Sequence, residues 1–434
     1  MVDSSILTDD FKSTSVWLEG VARPQIDFTP LPGKADIAVV GSGYTGLAAA
    51  LEMKRLGANP IIIDTGVAGC GTSTRNTGVL MPFPFSYRHF SSLFGKTLTD
   101  ELIKLYVDAY HQCIYTIESQ GYQCDLDRRG QLRPAHSRAA LDDLEQEYEM
   151  ISRHLDTEIR FLDREQLEEE IPGQRLWVGA RLNPQLQSLN GAKLHACLLR
   201  HAVEQEIPVH EKTRVLDIEQ AAGSVVVRTT RGDVTADQAL VATNAHTGKP
   251  FTDVSARLLC LTATLIATER LEPSVITRML PRLRACVDTR NGFLAFRPTA
   301  DGTRLVLGKA GSGGVFGSVS AAALRRGYRV LLNVFPALRG VRLEYGWTAR
   351  VAVTADNIPH LHSAGEVNYA LGYNGWGIAM GMYLGTHAAR RMLATGAEPL
   401  IFEEAGFNRV TKWLERPAFQ PAIRTWLRFL DALH

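Results

Sequence analysis

The stretch 36-DIAVVGSGYTGLAAALEMKRLG-57 decides the fold of this chain. It opens with a short apolar run of strand character, and a turn with three glycines follows. The alanine-rich segment 47–56 is a strong helix former, and Gly57 is placed to end the helix. A second apolar run, 61–64, is typical of a buried strand. This order predicts a βαβ unit, in which a helix joins two parallel strands.

The turn carries glycine at the three positions of a dinucleotide-binding fingerprint, Gly41, Gly43 and Gly46. The first glycine allows the tight turn. The second lets the backbone approach a pyrophosphate at the positive end of the helix, and the third lets the helix pack on the strand. Asp64 follows about 20 residues later, where a carboxylate accepts hydrogen bonds from ribose hydroxyls. A carboxylate there disfavours a 2′-phosphate, so an NADP site is not expected.

A second loop, 69-GCGTSTRNTG-78, is dense in Gly, Ser and Thr and carries one arginine, Arg75. Such a loop can wrap backbone N–H groups and small polar side chains around phosphates. It follows Asp64 closely, so we expect it to lie near the same ligand. The alternative is a flexible surface loop, which the sequence of this segment alone leaves open.

Length and composition exclude several classes of protein. The chain has 434 residues, 45% of them hydrophobic, with 47 Lys and Arg against 46 Asp and Glu. It is long enough for two or three domains, and it lacks the strong positive charge of a nucleic-acid-binding surface. None of the six cysteines forms a CxxC pair, and His360 and His362 have no third candidate ligand, so no metal site is predicted.

The sequence also predicts the setting of the protein. Residues 1–20 are polar and acidic, without the apolar segment of a signal peptide. No run of about 18 uncharged apolar residues is present, so no membrane span is expected. A reducing, cytoplasmic setting is the resulting expectation, and the oligomeric state is left open.

Apolar spacing beyond the βαβ unit predicts helices and strands whose order indicates two interleaved domains. The predicted fold class is α/β, with a Rossmann-like dinucleotide-binding domain and a second domain built on an antiparallel sheet. Helices are expected at about 98–120, 138–155, 190–206, 320–333 and 377–394, the third with Asn190 as its N-cap. The predicted divisions are a lead-in over 1–34, a cofactor domain over 35–80, 175–246 and 340–395, a substrate domain over 81–174 and 247–339, and a helical segment over 396–434.

Several motifs, in order along the chain, resemble those of the D-amino-acid-oxidase-like FAD-dependent oxidoreductases, and among these the bacterial gamma-glutamylputrescine oxidase type. They are 15-SVWL-18, 43-GYTG-46, 75-RNTG-78, 241-VATNA-245, 345-YGWT-348 and 372-GYNGWG-377. The resemblance covers roughly residues 15–395. It implies a flavoenzyme that oxidises an amine or amino acid. We expect the FAD to be held non-covalently.

The resemblance also implies which residues contact FAD. The glycine turn would hold the pyrophosphate, Asp64 the adenosine ribose, and Val215 the adenine through its backbone. The loop 72–77 and the start of the last helix would lie along the flavin. The full set is Gly41, Gly43, Tyr44, Thr45, Gly46, Asp64, Thr65, Gly71, Thr72, Ser73, Thr74, Arg75, Asn76, Thr77, Val215, Thr243, Asn244, Gly372, Asn374, Gly375, Trp376 and Gly377.

Two positions depart from the family pattern. Thr77 replaces a glycine that often follows the Arg-Asn pair, and Trp376 replaces a histidine that often precedes the last helix. Because the glycines are retained, we expect FAD binding to be unaffected, whereas Trp376 is expected to change which substrate is accepted. We expect Tyr373, Trp376 and Arg297 to position the substrate, Arg297 as a planar partner for a carboxylate. The alternatives are packing against the flavin for the two aromatic residues and a structural ion pair for Arg297.

The predicted reaction is oxidation of a C–N bond of a small amine or amino acid by hydride transfer to flavin, with O2 as the acceptor. No general base is named, because an amine that binds in its neutral form needs none. Three alternatives stay open. The enzyme could use an acceptor other than O2, it could take another substrate class such as an N-methyl amine or a hydroxy acid, or the chain could be a non-catalytic flavin-binding partner subunit.

Overall fold

A computed structural model describes residues 6–83, 87–152, 154, 158–290, 292, 294–309, 316–394, 396–404 and 406–411. The helical segment expected over 396–434 lies largely outside the described residues, which end at 411. Within the described part of the chain, no helix is long and apolar enough to cross a membrane.

The strands of the described residues form two sheets. In chain order they are β1 (Leu7–Lys12), β2 (Lys34–Val40), β3 (Pro60–Ile63), β4 (Gln131–Ala135), β5 (Arg160–Leu162), β6 (Gly179–Asn183), β7 (Val209–His210), β8 (Val215–Ala221), β9 (Ser224–Thr229), β10 (Gly232–Val241), β11 (Leu259–Thr268), β12 (Ala285–Val287), β13 (Leu294–Pro298), β14 (Leu305–Lys309), β15 (Leu343–Val353), β16 (His360–Ala364) and β17 (Val367–Leu371).

The helices lie between the strands and after them. They are α1 (Tyr44–Arg55), α2 (Tyr87–Phe94), α3 (Lys96–Ser119), α4 (Arg138–Ile151), α5 (Arg164–Glu170), α6 (Gly191–Glu204), α7 (Thr252–Ser255), α8 (Pro273–Met279), α9 (Ala321–Val334), α10 (Ala379–Met392) and α11 (Ile401–Glu404). Five of them, α3, α4, α6, α9 and α10, confirm the predicted positions. The side chain of Asn190 caps α6 by accepting from two backbone N–H groups, as expected.

One sheet contains the predicted βαβ unit. Its order is β16-β17-β10-β2-β3-β7, and β8 and β9 join it beside β10. The central strands β10, β2 and β3 run parallel. Val39, Ile62 and Leu240 on these strands are fully buried, as is usual for parallel strands covered on both faces. The carboxyl ends of the three strands therefore meet at one edge of the sheet, the usual place for a ligand in such folds.

The other sheet has the order β1-β15-β11-β14-β13-β12-β4-β6-β5. Its pairs are antiparallel except for β1 with β15 and β4 with β12, which are parallel. One face packs on α5, α8 and α9, through residues such as Leu167, Ile276 and Leu331. The opposite face turns toward the edge of the first sheet. The predicted α/β fold class with a second, largely antiparallel sheet is confirmed.

Two strands lie in the other sheet from the one that the predicted domain boundaries imply. β6 and β15 fall within 175–246 and 340–395, yet both pair inside the nine-stranded sheet. β15 is fully paired along β11, from Leu259 opposite Val353 to Thr268 opposite Leu343. The division into domains stays a prediction. Since β6 and β15 belong to the nine-stranded sheet, domain boundaries that follow the sheets would assign both strands to the substrate domain.

The N-terminal segment is more than an extended lead-in. β1 pairs with β15, and a short 3-10 helix over Val16–Leu18 follows. Val16 and Trp17 are buried, and Glu19 accepts a hydrogen bond from the buried guanidinium of Arg304 at 3.0 Å. The segment is thus part of the nine-stranded sheet and its core.

Candidate functional site

A cavity of about 510 Å3 lies between the two sheets. The carboxyl ends of β2, β3 and β10 and the N-termini of α1 and α10 border it, together with the loop over 69–77 and the inner face of the nine-stranded sheet. Most of the residues predicted from the sequence line it. They are Gly41, Gly43, Tyr44, Thr45, Asp64, Thr65, Gly71, Thr72, Ser73, Arg75, Asn76, Thr77, Val215, Thr243, Asn244, Tyr373, Gly375, Trp376 and Gly377.

Four residues of the predicted cofactor set are not among the lining residues, namely Gly46, Thr74, Gly372 and Asn374. Gly46 packs against the strand, and Thr74 is buried with its hydroxyl donating to the carbonyl of Gly69 at 2.6 Å. Asn374 accepts from the N–H of Thr354 at 2.9 Å and donates to the carbonyl of Gly372 at 2.6 Å. These residues shape the backbone beside the cavity, because their polar groups are already bonded to the chain.

Arg297 is also outside the cavity, which corrects the expectation that it positions a substrate. Its side chain is 1% exposed and donates to the carbonyls of Gly78 at 3.3 Å and Leu189 at 2.9 Å. The guanidinium lies 5.0 Å from the ring centroid of Trp17. Burial lowers the pKa of Arg297 to about 10, so it stays charged at neutral pH. The arginine links the N-terminal segment to the end of the 69–78 loop.

The three glycines of the turn serve different purposes. Gly41 has φ of 107°, a conformation that favours glycine. A Cβ on Gly46 would lie 1.9 Å from the carbonyl oxygen of Gly41, so Gly46 allows α1 to approach the strand. A Cβ on Gly43 would meet only the Ser73 hydroxyl, at 3.1 Å, and would otherwise project beside the cavity. The space at Gly43 is therefore left for a ligand rather than filled by the protein.

Asp64 organises the turn. Its Oδ2 accepts from the backbone N–H of Ser42 at 2.8 Å and from the Ser42 hydroxyl at 2.6 Å, and its Oδ1 accepts from the N–H of Gly66 at 2.9 Å. Oδ1 keeps one lone pair for a further donor. The predicted ribose contact is compatible with this geometry and stays a prediction.

Among the described residues, two histidines line the cavity, His195 and His246. His195, on α6, is 2% exposed, and its Nε2 hydrogen-bonds the carbonyl of Ser42 at 2.8 Å. His246 packs edge-on against Phe316, with ring centroids 4.6 Å apart. Burial, and then the charge of Arg350, lower the pKa of His246 to about 4, so its ring is neutral at pH 7. Burial also lowers the pKa of His195.

The end of the cavity near Trp376 is apolar. The indole packs with Val79, Met81, Val287 and Ala295, which come from the 69–81 segment, β12 and β13. The hydroxyl of Tyr373, by contrast, is hydrogen-bonded to the Thr45 hydroxyl at 2.7 Å and to the carbonyl of Ala370 at 3.0 Å. Trp376 therefore contributes apolar ring surface to the cavity, whereas the Tyr373 hydroxyl is bonded to Thr45 and Ala370.

Sequence reasoning missed most of the apolar end and the strand residues beneath it. These residues, on the nine-stranded sheet, are Ala263, Leu265, Val287, Ala295, Gly308 and Ala349. They are small or apolar and follow no motif, so only their pairing in the sheet brings them to the cavity. His195 had a weak signal, since it lies five residues after the predicted N-cap Asn190 of α6.

Comparison with known proteins identifies the kind of protein that carries this cavity. A model of the FAD-dependent oxidoreductase family, DAO, matches residues 36–391. The chain belongs to this family. It is similar to gamma-glutamylputrescine oxidoreductase of Escherichia coli K12, with 29% identity over 371 residues, or 83% of this chain and 82% of that protein. It is also similar to a probable oxidoreductase OrdL of Rhizobium meliloti, with 27% identity over 390 residues, 88% of this chain and 89% of that protein.

The fold has a solved counterpart. The crystal structure of glycine oxidase from Geobacillus kaustophilus superposes with a TM-score of 0.72 and covers 87% of this chain and 99% of that chain, at 21% identity. The match to the family model confirms the predicted family, the enzyme class and the use of FAD. The substrate and the electron acceptor are separate questions.

The residues of the cavity fit an FAD. Both α1, with Gly43 as N-cap, and α10, with Ile378 as N-cap, open onto the cavity without a cap from the N-cap side chain and without an acidic residue in the first turn. The Ser73 hydroxyl accepts from the N–H of Tyr44 at 3.2 Å. Helix N-termini of this kind favour groups that are negatively charged or that gain negative charge. The pyrophosphate is such a group, and the open space beside Gly43 suits its close approach to the backbone.

Proposed function

We propose that the protein oxidises a C–N bond of a small amine or amino acid, with non-covalently held FAD and O2 as the electron acceptor. The observation that carries the proposal is a single cavity with two unlike ends. Gly43 and Asp64 border one end with backbone donors and polar groups, and Trp376 and Val287 border the other with apolar surface. One end suits the cofactor, and the other suits a small organic substrate beside it.

FAD, when bound, accepts the hydride that leaves the carbon next to the amine nitrogen. The chain contributes orientation and exclusion of water. The indole of Trp376 and the side chains of Val79, Met81 and Val287 form a wall that would hold the carbon skeleton of the substrate and keep water from it. Loss of the hydride and of the proton on nitrogen leaves an imine, which water hydrolyses to a carbonyl compound and an amine.

We assign no general base. Asp64 is the one carboxylate among the described lining residues, and it is bonded to Ser42 and Gly66 at the glycine turn. An amine that binds in its neutral form keeps its nitrogen lone pair, which assists departure of the hydride. The nitrogen proton then leaves to water. The activity should therefore rise with pH as more of the amine becomes neutral.

Non-covalent binding of FAD is supported by the state of Cys70. It is the cysteine that lines the cavity, and its sulfur lies beside Gly66 and Asp64, at the glycine-turn end. Cys70 is an exposed residue, but partial burial of its thiol, and then the charge of Asp64, raise the pKa of that thiol, so the thiolate that would attack a flavin is disfavoured.

An amine substrate is supported by the similarity to gamma-glutamylputrescine oxidoreductase. The apolar wall around Trp376 favours a substrate with an apolar portion next to the reacting carbon, or a compact one. The test is a visible spectrum of the purified protein, followed by anaerobic mixing with a panel of amines, amino acids and hydroxy acids. We expect a yellow protein whose flavin absorbance is bleached by C–N substrates and restored by air with formation of peroxide.

Three outcomes would contradict parts of the proposal. Bleaching by hydroxy acids alone would refute the C–N substrate, and bleaching without peroxide on admission of air would refute the O2 acceptor. Flavin that precipitates with the denatured chain would refute non-covalent binding. A Cys70→Ser variant would then test whether that thiol forms the link.

A further inference from the structure

Two buried tryptophans hold consecutive carbonyl groups of the loop that borders the cavity. The Nε1–H of Trp17 donates to the carbonyl of Asn76 at 2.7 Å, and the Nε1–H of Trp347 donates to the carbonyl of Arg75 at 3.0 Å. Both indoles are at most 2% exposed, and they share one apolar cluster. Each is therefore a fixed donor to one carbonyl of the loop.

Because peptide groups are planar, these two hydrogen bonds also fix the direction of the neighbouring backbone N–H groups. The peptide bonds after Arg75 and Asn76 are trans, so each carbonyl and the following N–H point in opposite directions. Asn76 and Thr77 line the cavity, whereas Trp17 and Trp347 do not. Since the carbonyls point to the indoles, the N–H groups of Asn76 and Thr77 point the other way, toward the cavity.

The two tryptophans reach the loop from different parts of the chain. Trp347 belongs to β15 of the nine-stranded sheet. Trp17 follows β1, and the guanidinium of Arg297 lies over its ring, 5.0 Å from the centroid. The same guanidinium donates to the carbonyl of Gly78, one residue beyond Thr77. Three rigid donors thus fix the path of the loop from the side opposite the cavity.

We propose that Trp17 and Trp347 are positioning residues that aim the N–H groups of Asn76 and Thr77 at the FAD. The inference rests on the proposed placement of the flavin along the 72–77 loop. Fixed N–H donors in a buried site stabilise negative charge without reorganising. The two amides would thus favour the reduced, more electron-rich cofactor, and the tryptophans would set its reduction potential through them.

The test removes one indole N–H at a time and keeps the aromatic ring. The variants are Trp17→Phe and Trp347→Phe, and Trp177→Phe is the matched control. Trp177 is equally buried and stacks on Phe296, but its Nε1 has no hydrogen-bond partner among the described residues. The holoenzymes are compared by the dissociation constant of FAD, from flavin fluorescence on dilution, and by the midpoint potential, from equilibration with a redox dye.

We expect about tenfold weaker FAD binding in Trp17→Phe and Trp347→Phe, which equals about 1.4 kcal/mol, and no change in Trp177→Phe. The midpoint potential should become more negative in the first two variants only. A purely structural role would lower the melting temperature of all three variants and leave the potential unchanged.

The inference is overturned if both loop-facing variants bind FAD and hold its potential as the control does. It is also overturned if neither variant folds, because the indoles would then be structural. Neither measurement uses an amine, so an error in the proposed substrate leaves the test intact. A wild-type protein that binds no FAD would instead refute the proposed function.

Discussion

The two ends of the cavity are built in different ways. The glycine-turn end comes from one βαβ unit, in which Gly41, Gly43 and Asp64 lie within a single stretch of sequence. The Trp376 end is assembled from β12, β13, the 69–81 segment and the start of α10. The comparison indicates that the cofactor end depends on local backbone geometry, whereas the substrate end depends on how distant segments pack.

Within the cofactor end, two glycines of one motif differ in the space that surrounds them. A Cβ on Gly46 would collide with the carbonyl of Gly41, whereas a Cβ on Gly43 would meet mainly open space and the Ser73 hydroxyl. Gly46 is thus required by the fold, and Gly43 by the ligand. Four predictions, from the largest expected effect to the smallest, test this division between fold, cofactor end and substrate end.

The largest effect is expected for Gly43→Val. The branched side chain would fill the space that the pyrophosphate needs, so FAD affinity should fall by roughly a hundredfold or more, and no flavin should survive gel filtration. The fold should persist, which circular dichroism of the colourless protein checks. Gly33→Val, at a position with nothing within 4 Å of the added Cβ, is the control and should purify yellow.

Gly46→Ala should disrupt the fold rather than only the binding of FAD, since its methyl group would lie 1.9 Å from the carbonyl oxygen of Gly41. We expect little folded protein of any colour. Full flavin occupancy in Gly43→Val would show that the glycine turn is not the cofactor cradle.

The second prediction concerns Arg297→Leu, which separates structural from substrate-binding roles. Loss of the guanidinium leaves the carbonyls of Gly78 and Leu189 without this donor, so the free energy of unfolding should fall by about 2–3 kcal/mol. Urea denaturation measures this loss, with exposed Arg278→Leu as the control. The KM for the best amine should stay within about twofold, because Arg297 does not line the cavity. A large rise in KM with unchanged stability would restore Arg297 as a substrate residue.

The third prediction is a pH dependence of stability from His246. Its pKa is about 4 in the folded chain, lowered first by burial, against about 6.5 when unfolded. Below pH 6.5 the unfolded chain takes up a proton that the folded chain refuses, so stability is lost as the pH falls from 6.5 to 4. Because His246 is an exposed residue at the cavity, solvent screening reduces this loss, which should stay below about 2 kcal/mol at pH 5.

Urea denaturation of wild type and His246→Asn at pH 7.5 and pH 5 measures this difference. The other histidines titrate in both proteins, so only the contribution of His246 separates them. Equal losses in the two proteins would contradict the lowered pKa.

The smallest effect is expected at the substrate end, from Trp376→His or Trp376→Ala. The flavin spectrum should remain, while the relative rates at which different amines bleach the flavin should shift by about tenfold, or about 1.4 kcal/mol. Truncation of the indole can also cost up to about 3–5 kcal/mol of stability, so the melting temperature is measured alongside, with Trp177→Phe as a core control. A folded, yellow variant that ranks the whole panel as the parent does would reduce Trp376 to a packing residue.

Much of the cofactor end could be predicted from the sequence, because each signal there acts over a few residues. Residue spacing alone predicts the strand before Gly41, the helix after it and the position of Asp64. It also predicts the N-cap Asn190. The composition of the loop 69–78, rich in Gly, Ser and Thr, also predicted a place near the cofactor. Its residue Thr74 nevertheless turned out to be buried and bonded to Gly69, since spacing does not tell which side of a loop faces a ligand.

The sequence by itself determined the βαβ unit, the glycine turn and the family, since these rest on local conformation and motif order. Only the tertiary structure decided that Arg297 serves the loop rather than the substrate, that β1 carries Trp17 to the loop, and that Val287 joins Trp376. The reason is physical. Strand pairing and side-chain burial join residues hundreds of positions apart, and no local propensity encodes which of them will meet.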